Sequence, residues 1–122
     1  MSGDSPDQAR SMAVEHLKAF GLSTYAARTF VALVSLGEGT AQDVSEVANV
    51  PRTRVYDAAD ELGERGLVDV KQSNPKRYWA ISTETTGRHF KQEYEHRANA
   101  LTDALDGLES SNHTTESGAS GR

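Results

Sequence analysis

The sequence contains no cysteine, which excludes several kinds of chemistry at once. Without a thiol, the chain forms no disulfide, no thiolate zinc site and no direct thiol redox sensor. Its apolar runs are all much shorter than the ~18 residues of a membrane helix, and the N-terminus lacks the apolar segment of a signal peptide. We therefore expect a soluble cytoplasmic protein with no membrane partner.

Lysine is also scarce, with four lysines against nine arginines and 18 acidic residues among 122 residues, and the formal net charge is −5. Such an excess of carboxylate is typical of proteins from salt-loving organisms, although many ordinary acidic proteins share it. The average surface should repel nucleic acid, so a nucleic-acid site would need a local concentration of positive charge. The length suits one small domain with an additional element or tail.

The spacing of apolar side chains and the capping residues predict four helices in the first 66 residues. The first ends near Gly21, the second begins after a Ser23 cap, and the third begins with a capping box over Thr40 to Asp43. The fourth follows Pro51, a favoured first-turn residue, and ends at Gly66. Its predicted buried stripe is Val55, Ala59 and Leu62.

After Gly66 the hydrophobic period changes from 3.6 to 2, so LVDVKQ and KRYWAIS are predicted strands joined by an SNP turn. Thr83 then caps a long last helix. Apolar residues along this helix follow the 4-3-4-3 spacing of a helix-pairing seam: Tyr94, Ala98, Leu101, Leu105 and Leu108.

This order of elements predicts a mainly α fold with a small antiparallel β-hairpin (α+β), namely a winged helix-turn-helix domain followed by a long C-terminal dimerisation helix. The predicted boundaries are a flexible N-terminus over 1–8, the DNA-binding winged domain with its N-terminal helix over 9–82, the dimerisation helix over 83–109 and a disordered tail over 110–122.

Positive charge is concentrated at two predicted tips of this fold. Residues 50–78 hold six bases and five acids, a net charge of +1, whereas the rest of the chain carries −6. One tip is the start of the fourth helix, whose N-terminal residues would meet base edges in the major groove; the other is the hairpin, which would hold the adjacent backbone. The predicted DNA-binding residues are Arg52, Thr53, Arg54, Tyr56, Lys71, Asn74, Lys76 and Arg77. The alternative is that these bases only solvate a helix end or pair with nearby acids.

The seam on the last helix predicts a homodimer, because so small a domain leaves little else for it to cover. The alternative is that the helix folds back on its own winged domain. A two-fold dimer would place two recognition helices ~34 Å apart and would bind a palindromic site.

Four separated motifs resemble those of the TrmB-type archaeal transcriptional regulators: Gly21-Leu22-Ser23, Val50 to Tyr56, Gly66-Leu67-Val68 and Pro75 to Tyr78. The resemblance covers about residues 17 to 85. It implies a winged-helix DNA-binding domain, usually dimeric, that acts at promoters. Longer members carry a sugar-sensing domain where this sequence shows a helix and tail, so sugar control is not implied. Small stand-alone stress regulators of halophilic archaea are similar in size and composition.

The sequence shows no catalytic constellation and no cofactor motif, and we predict that the protein is not an enzyme. His89, Glu93 and His96 share a helical face, but two turns separate the histidines, so a solvated face is favoured over a metal site. A small-molecule effector is not indicated by any motif. The main alternative function is a winged-helix module that binds a protein of the transcription or chromosome machinery.

Overall fold

The computed structural model describes residues 6–115, with side chains described up to residue 111. Within that range the chain forms five helices and two strands: α1 Pro6–Ala19, α2 Thr24–Leu36, α3 Ala41–Ala48, α4 Arg52–Glu64, β1 Val68–Lys71, β2 Arg77–Ala80 and α5 Thr83–Thr115. This order confirms the predicted fold class. Of the described residues, 6–86 form one compact unit and 87–115 form a second.

The core of the first unit is built around α2, which packs against α1, α3, α4 and β2. Leu33 of α2 and Leu62 of α4 are among its largest fully buried side chains, together with Leu67 at the start of the hairpin. In α4 the buried residues include the predicted stripe Val55, Ala59 and Leu62. The helical spacing of the apolar residues therefore identified the inward face of α4 correctly.

The predicted caps of α2 and α3 are confirmed. The Ser23 hydroxyl accepts the Ala26 N–H at 3.1 Å, which satisfies one of the unpaired donors at the start of α2. At α3 the Thr40 hydroxyl accepts the Asp43 N–H at 3.2 Å, and the Asp43 carboxylate accepts the Thr40 N–H at 3.0 Å. These reciprocal bonds form a capping box and fix where the helix begins.

A short turn joins α3 to α4 and sets the direction of α4. Asn49 closes α3 in the left-handed region at φ 56°, which its short polar side chain tolerates. The Ser45 hydroxyl donates to the Val50 carbonyl at 2.7 Å, which ties the turn back to α3. Pro51 then occupies the cap position of α4, one residue before the helix begins.

Strands β1 and β2 pair antiparallel, with Val68 opposite Ala80 and Lys71 opposite Arg77. Gly39 extends this sheet, because its N–H donates to the Tyr78 carbonyl at 2.9 Å and its carbonyl accepts the Tyr78 N–H at 2.8 Å. A Cβ on Gly39 would lie 3.1 Å from the Asp43 Cβ and 3.2 Å from a Leu36 methyl, so the close approach leaves little room for a side chain. The hairpin is thereby attached to the start of α3.

The predicted domain boundaries differ from the structure at both ends. Helix α1 already begins at Pro6, inside the segment 1–8 that was predicted to be flexible, because proline is well suited to the first helical turn and Asp7 favours the same turn. Helix α5 continues to Thr115, past the tail predicted to begin at 110, since no Gly or Pro interrupts residues 108–115 and propagation adds one hydrogen bond per residue. Residues 1–5 and 116–122 lie outside the described residues.

Candidate nucleic-acid interface

The exposed face of α4 carries the predicted base-contacting residues. Burial of Val55 and Leu62 turns the opposite side of the helix outward, and Arg52, Thr53 and Tyr56 lie there, exposed. The first turn of α4 contains no acidic residue, and Pro51 makes no side-chain cap bond there. The partial positive charge of the helix N-terminus is therefore not offset by a local carboxylate.

Arg52 and Tyr56 line a cleft between α4 and the hairpin. The cleft has a volume of about 510 Å³ and opens between the start of α3, the start of α4 and the hairpin tip. Its other side is formed by Asn74 and Lys76, together with Ser73 and Pro75. Four of the predicted DNA-binding residues, from two separate tips, are thus brought to one cleft.

Gln42 of α3 contributes to this cleft and was not predicted. Its side-chain oxygen accepts a hydrogen bond from the Arg52 guanidinium at 3.3 Å, and its amide donates to Glu46 at 2.7 Å. The hydrogen bonds from Arg52 to Gln42 and from Gln42 to Glu46 thus link the start of α4 to α3. The only sequence signal was a polar side chain in the first turn of α3, which does not by itself indicate a contact with a residue ten positions away.

Arg54 is directed elsewhere. Its guanidinium carbon lies 5.8 Å from the centre of the Tyr25 ring of α2, within the range of a cation–π interaction. Arg54 is exposed, but it does not line the cleft that holds Arg52. The structure therefore separates the two arginines, which the sequence had placed together as base-contacting candidates.

The basic residues of the hairpin also differ from one another. Lys71, Asn74 and Lys76 are exposed, whereas Arg77 is half-buried and its Nε donates to the Glu38 carboxylate at 2.6 Å. Glu38 lies just before Gly39, so this ion pair reinforces the attachment of the hairpin to the segment before α3. The Arg77 charge is partly compensated by Glu38, and the exposed bases of the hairpin are Lys71 and Lys76.

Tyr78 forms the buried floor beside the cleft. Its side chain is buried, whereas that of the neighbouring Trp79 is exposed, which agrees with the alternation of a strand with one covered face. Burial raises the pKa of the Tyr78 phenol, with smaller contributions from Tyr56 and the Asp60 carboxylate. The phenol therefore remains neutral and supports the cleft as a packing residue.

The predicted dimerisation seam lies on an exposed face of α5. Tyr94 is 68% exposed, Leu101 58%, Leu105 53% and Leu108 69%, and Ala98 is exposed as well. Single exposed apolar side chains are ordinary on a protein surface, whereas a row at heptad spacing is typical of helix pairing. The predicted dimer stays a prediction at this point.

Within residues 6–115, no helix is long and apolar enough to cross a membrane. Among the side chains that the structure describes, which end at residue 111, no group of three or more His, Asp or Glu is arranged to hold a metal ion.

Comparisons with known proteins are consistent with this geometry. A family model described as the sugar-specific transcriptional regulator TrmB matches residues 17–84. The chain is 32% identical over 71 residues to the HTH-type sugar sensing transcriptional regulator TrmBL1 of Pyrococcus furiosus, covering 58% of this chain and 21% of that protein. It is 31% identical over 78 residues to the DNA-binding HTH-type transcriptional repressor TrmBL2 of Thermococcus kodakarensis, covering 64% of this chain and 30% of that protein.

Solved structures share the fold at low identity. A structure of TrmBL2, described as an archaeal chromatin protein with a novel mode of DNA binding, has a TM-score of 0.78 at 23% identity and covers 92% of this chain and 46% of that one. A possible transcriptional regulator from Methanosarcina mazei has a TM-score of 0.64 at 13% identity and covers 81% of this chain and 88% of that one.

The chain spans between a fifth and a third of the length of the curated relatives it matches. The match to the family model nevertheless includes more than half of this chain, from the end of α1 to the start of α5. It contains every element of the winged helix-turn-helix that holds the cleft. The chain therefore belongs to the TrmB family, a family of transcriptional regulators rather than enzymes.

Proposed function

We propose that the protein binds double-stranded DNA sequence-specifically, as a homodimer at promoters, and thereby regulates transcription. The observation that carries this proposal is the cleft in which Arg52 and Tyr56 of α4 face Asn74 and Lys76 of the hairpin. A recognition helix and a wing that converge on one cleft suit a DNA groove and its adjacent backbone. The printed description of the T. kodakarensis relative as a DNA-binding repressor supports the same proposal.

The proposed roles follow from the side-chain chemistry. Arg52 forks onto a guanine edge or clamps a phosphate, Thr53 contacts a phosphate or a thymine methyl, and Tyr56 contacts backbone or sugar. Lys71, Asn74 and Lys76 hold the backbone beside the wing. We assign Arg54 and Arg77 a mainly positioning role, because Tyr25 and Glu38 already engage their guanidinium groups.

The test is quantitative binding to the promoter region of the protein's own gene, with salt varied for each variant. Arg52→Ala should lose about 1–3 kcal/mol of discrimination between the preferred site and a mismatched one. Lys76→Ala should weaken binding uniformly across sequences and reduce the salt slope by about 1. The matched control is Lys18→Ala, which removes the same charge from α1, outside the cleft. A wild-type protein that binds no DNA from low to molar salt overturns the proposal.

The exposed seam of α5 favours a second candidate function, a module that binds another protein of the transcription or chromosome machinery. The two proposals predict opposite variant profiles. If Arg52→Ala and Lys76→Ala leave regulation intact while Leu105→Asp abolishes it, the protein-binding function is supported instead.

We propose the stress response of a halophilic archaeon as the setting. The support is the composition, four lysines against 18 acidic residues, together with the archaeal sources of the relatives. Because counterion release gives little driving force at molar salt, a halophilic regulator must bind its site without the usual steep loss of affinity. A conventional steep decline with rising salt contradicts this setting, but leaves the DNA-binding proposal in place.

A further inference from the structure

The exposed face of α5 between Tyr94 and Leu108 is apolar along a single line. In heptad positions, Tyr94, Leu101 and Leu108 occupy d, and Ala98 and Leu105 occupy a. The homodimer proposed above places a second copy on this line, but a heptad pattern alone is compatible with parallel and antiparallel helix pairs.

The charge along the same helix is strongly asymmetric. Residues 88–97 contain three bases and two acids, whereas residues 98–111 contain three acids and no base. The acids of the second segment are Asp103, Asp106 and Glu109. Parallel pairing would place this acidic segment beside its own copy, and antiparallel pairing would place it beside the more basic segment of the other copy.

Lys91 also distinguishes parallel from antiparallel pairing, because it occupies the a position that precedes Tyr94 in the heptad pattern. In a parallel pair a residue at a meets the same residue of the other copy, so two lysine ammonium groups would be forced together. In an antiparallel pair a residue at a meets one at d. The Lys91 stem would then cover Leu108 of the partner subunit, and its ammonium group would reach towards Glu109 of the partner subunit.

We propose that α5 pairs antiparallel with α5 of a second copy, with Tyr94 against Leu105 of the partner subunit and Ala98 against Leu101 of the partner subunit. The proposal rests on the homodimer of the proposed function and deepens it by fixing the partner and its orientation. In this register each of the five seam residues has a partner, and the small Ala98 lies opposite a leucine. The acidic segment of each copy lies beside the basic segment of the other.

Disulfide trapping tests the orientation cleanly, because the chain has no cysteine of its own. Full-length Tyr94→Cys protein is mixed with a Leu105→Cys protein that carries a tag, refolded together, oxidised and separated by mass. A disulfide needs Cα atoms about 4.4–6.8 Å apart, so only residues that face each other are trapped. Mixed Ala98→Cys and Leu101→Cys proteins provide a second pair, and Asp103→Cys, at the f position on the outer face of the heptad, is the matched control.

The antiparallel pairing predicts that the mixed 94–105 and 98–101 products exceed the like-with-like products several-fold, and that Asp103→Cys stays uncrosslinked. Predominant 94–94 and 105–105 products overturn the orientation and leave the dimer intact. A dimeric wild type, by sedimentation, whose seam cysteines are never trapped overturns the seam as the interface. A monomeric wild type overturns this inference and the homodimer together, whereas DNA binding is measured separately and is not affected.

A charge reversal gives an independent readout without new thiols. Lys91→Glu and Glu109→Lys should each weaken dimerisation by about two- to fivefold, and the double variant should recover most of that loss. In a parallel pair the two positions lie about five turns apart along the helix axis, so the two losses would simply add. Additive losses in the double variant contradict the antiparallel arrangement.

Discussion

The winged-helix unit and the outward face of α5 use the same amino acids in opposite ways. Leu62 of α4 is 0% exposed, whereas Leu105 of α5 is 53% exposed, although both leucines lie on amphipathic helices. In the first unit each inward stripe meets another element of the same chain, as α4 meets α2, α3 and β1. The first unit therefore supplies its own core, while the α5 seam is suited to a surface from another molecule.

The two regions differ in their charges as well. In the winged-helix unit, carboxylates bond to specific partners: Glu61 to Ser23, Glu38 to Arg77 and Asp43 to Thr40. In the last part of α5 the sequence places Asp103, Asp106 and Glu109 together without a base among residues 98–111. These contacts of the first unit are made within one chain, whereas we propose that the charge on α5 selects the orientation of a partner.

The largest expected difference comes from truncating one leucine in each region, Leu62 in the winged-helix unit and Leu105 on α5. Leu62→Ala should lower the free energy of unfolding by about 2–5 kcal/mol, because it leaves a cavity in a fully buried site. Leu105→Ala should leave the stability of the isolated chain within about 0.5 kcal/mol, since more than half of its side chain is already exposed to water. Denaturant unfolding at a concentration below dimer formation measures both.

In an assay of dimer formation, the two variants should rank in the opposite order of loss. Leu105→Ala should weaken dimerisation, whereas the fraction of Leu62→Ala that remains folded should dimerise normally. Equal losses of unfolding free energy for the two variants at low concentration would falsify the contrast, because they would mean that the seam is already covered within one chain.

A smaller effect should come from the tie between α2 and α4. The Glu61 carboxylate accepts the Ser23 hydroxyl at 2.8 Å and the Ser23 N–H at 3.1 Å, which connects the start of α2 to the third turn of α4. Glu61→Ala should lower the free energy of unfolding by about 1 kcal/mol. Glu64→Ala, an exposed glutamate one turn further along α4, is the matched control and should change little. Thermal unfolding of the two variants is the measurement, and an equal change in both counts against the tie.

Features governed by local chemistry could be predicted from the sequence. The Ser23 cap, the Thr40–Asp43 box and the stripe of Val55, Ala59 and Leu62 each depend on residues within seven positions of one another. Such signals act through one helical turn or two, so the spacing alone carries them. The sequence for the same reason predicted the hairpin and the exposed start of α4.

Contacts between distant residues could not be predicted. Arg77 meets Glu38 across 39 positions, and Arg54 lies over Tyr25 of α2, because the packing of helices and hairpin decides which surfaces meet. The sequence consequently showed no sign that Tyr25 would engage Arg54 or that Glu38 would engage Arg77. The burial of Tyr78 rather than its neighbour Trp79 is of the same kind, because it depends on which face of the hairpin lies against the helices.

The contact between Arg54 and Tyr25 should make a modest contribution to DNA affinity. Measuring the Tyr25 variant with and without Arg54 separates positioning from direct DNA binding by Tyr25. An exposed cation–π contact is worth about 0.5 kcal/mol. If the contact of Tyr25 with Arg54 positions the start of α4 for DNA, Tyr25→Leu should weaken binding in the wild-type background and have no effect in an Arg54→Ala background. Fluorescence anisotropy with a labelled operator fragment measures both, and equal losses in the two backgrounds would show that Tyr25 acts independently of Arg54.

The smallest expected effect is a pH dependence at the capping box of α3. The hydrogen bonds that Asp43 accepts from Thr40, first from its N–H and then from its hydroxyl, hold the pKa of the Asp43 carboxyl below its usual value of 3.8. A depressed folded-state pKa means that the ionised carboxylate stabilises the fold above pH 3.8, and that this contribution is lost as the pH falls through the folded-state pKa. Asp43→Asn keeps an acceptor oxygen but removes the charge, so wild type should be the more stable protein at neutral pH and the difference should close in acid. Denaturant unfolding of both proteins from neutral pH into acid measures this stability difference. A difference that stays constant with pH would mean that the charge of Asp43 contributes nothing to the cap.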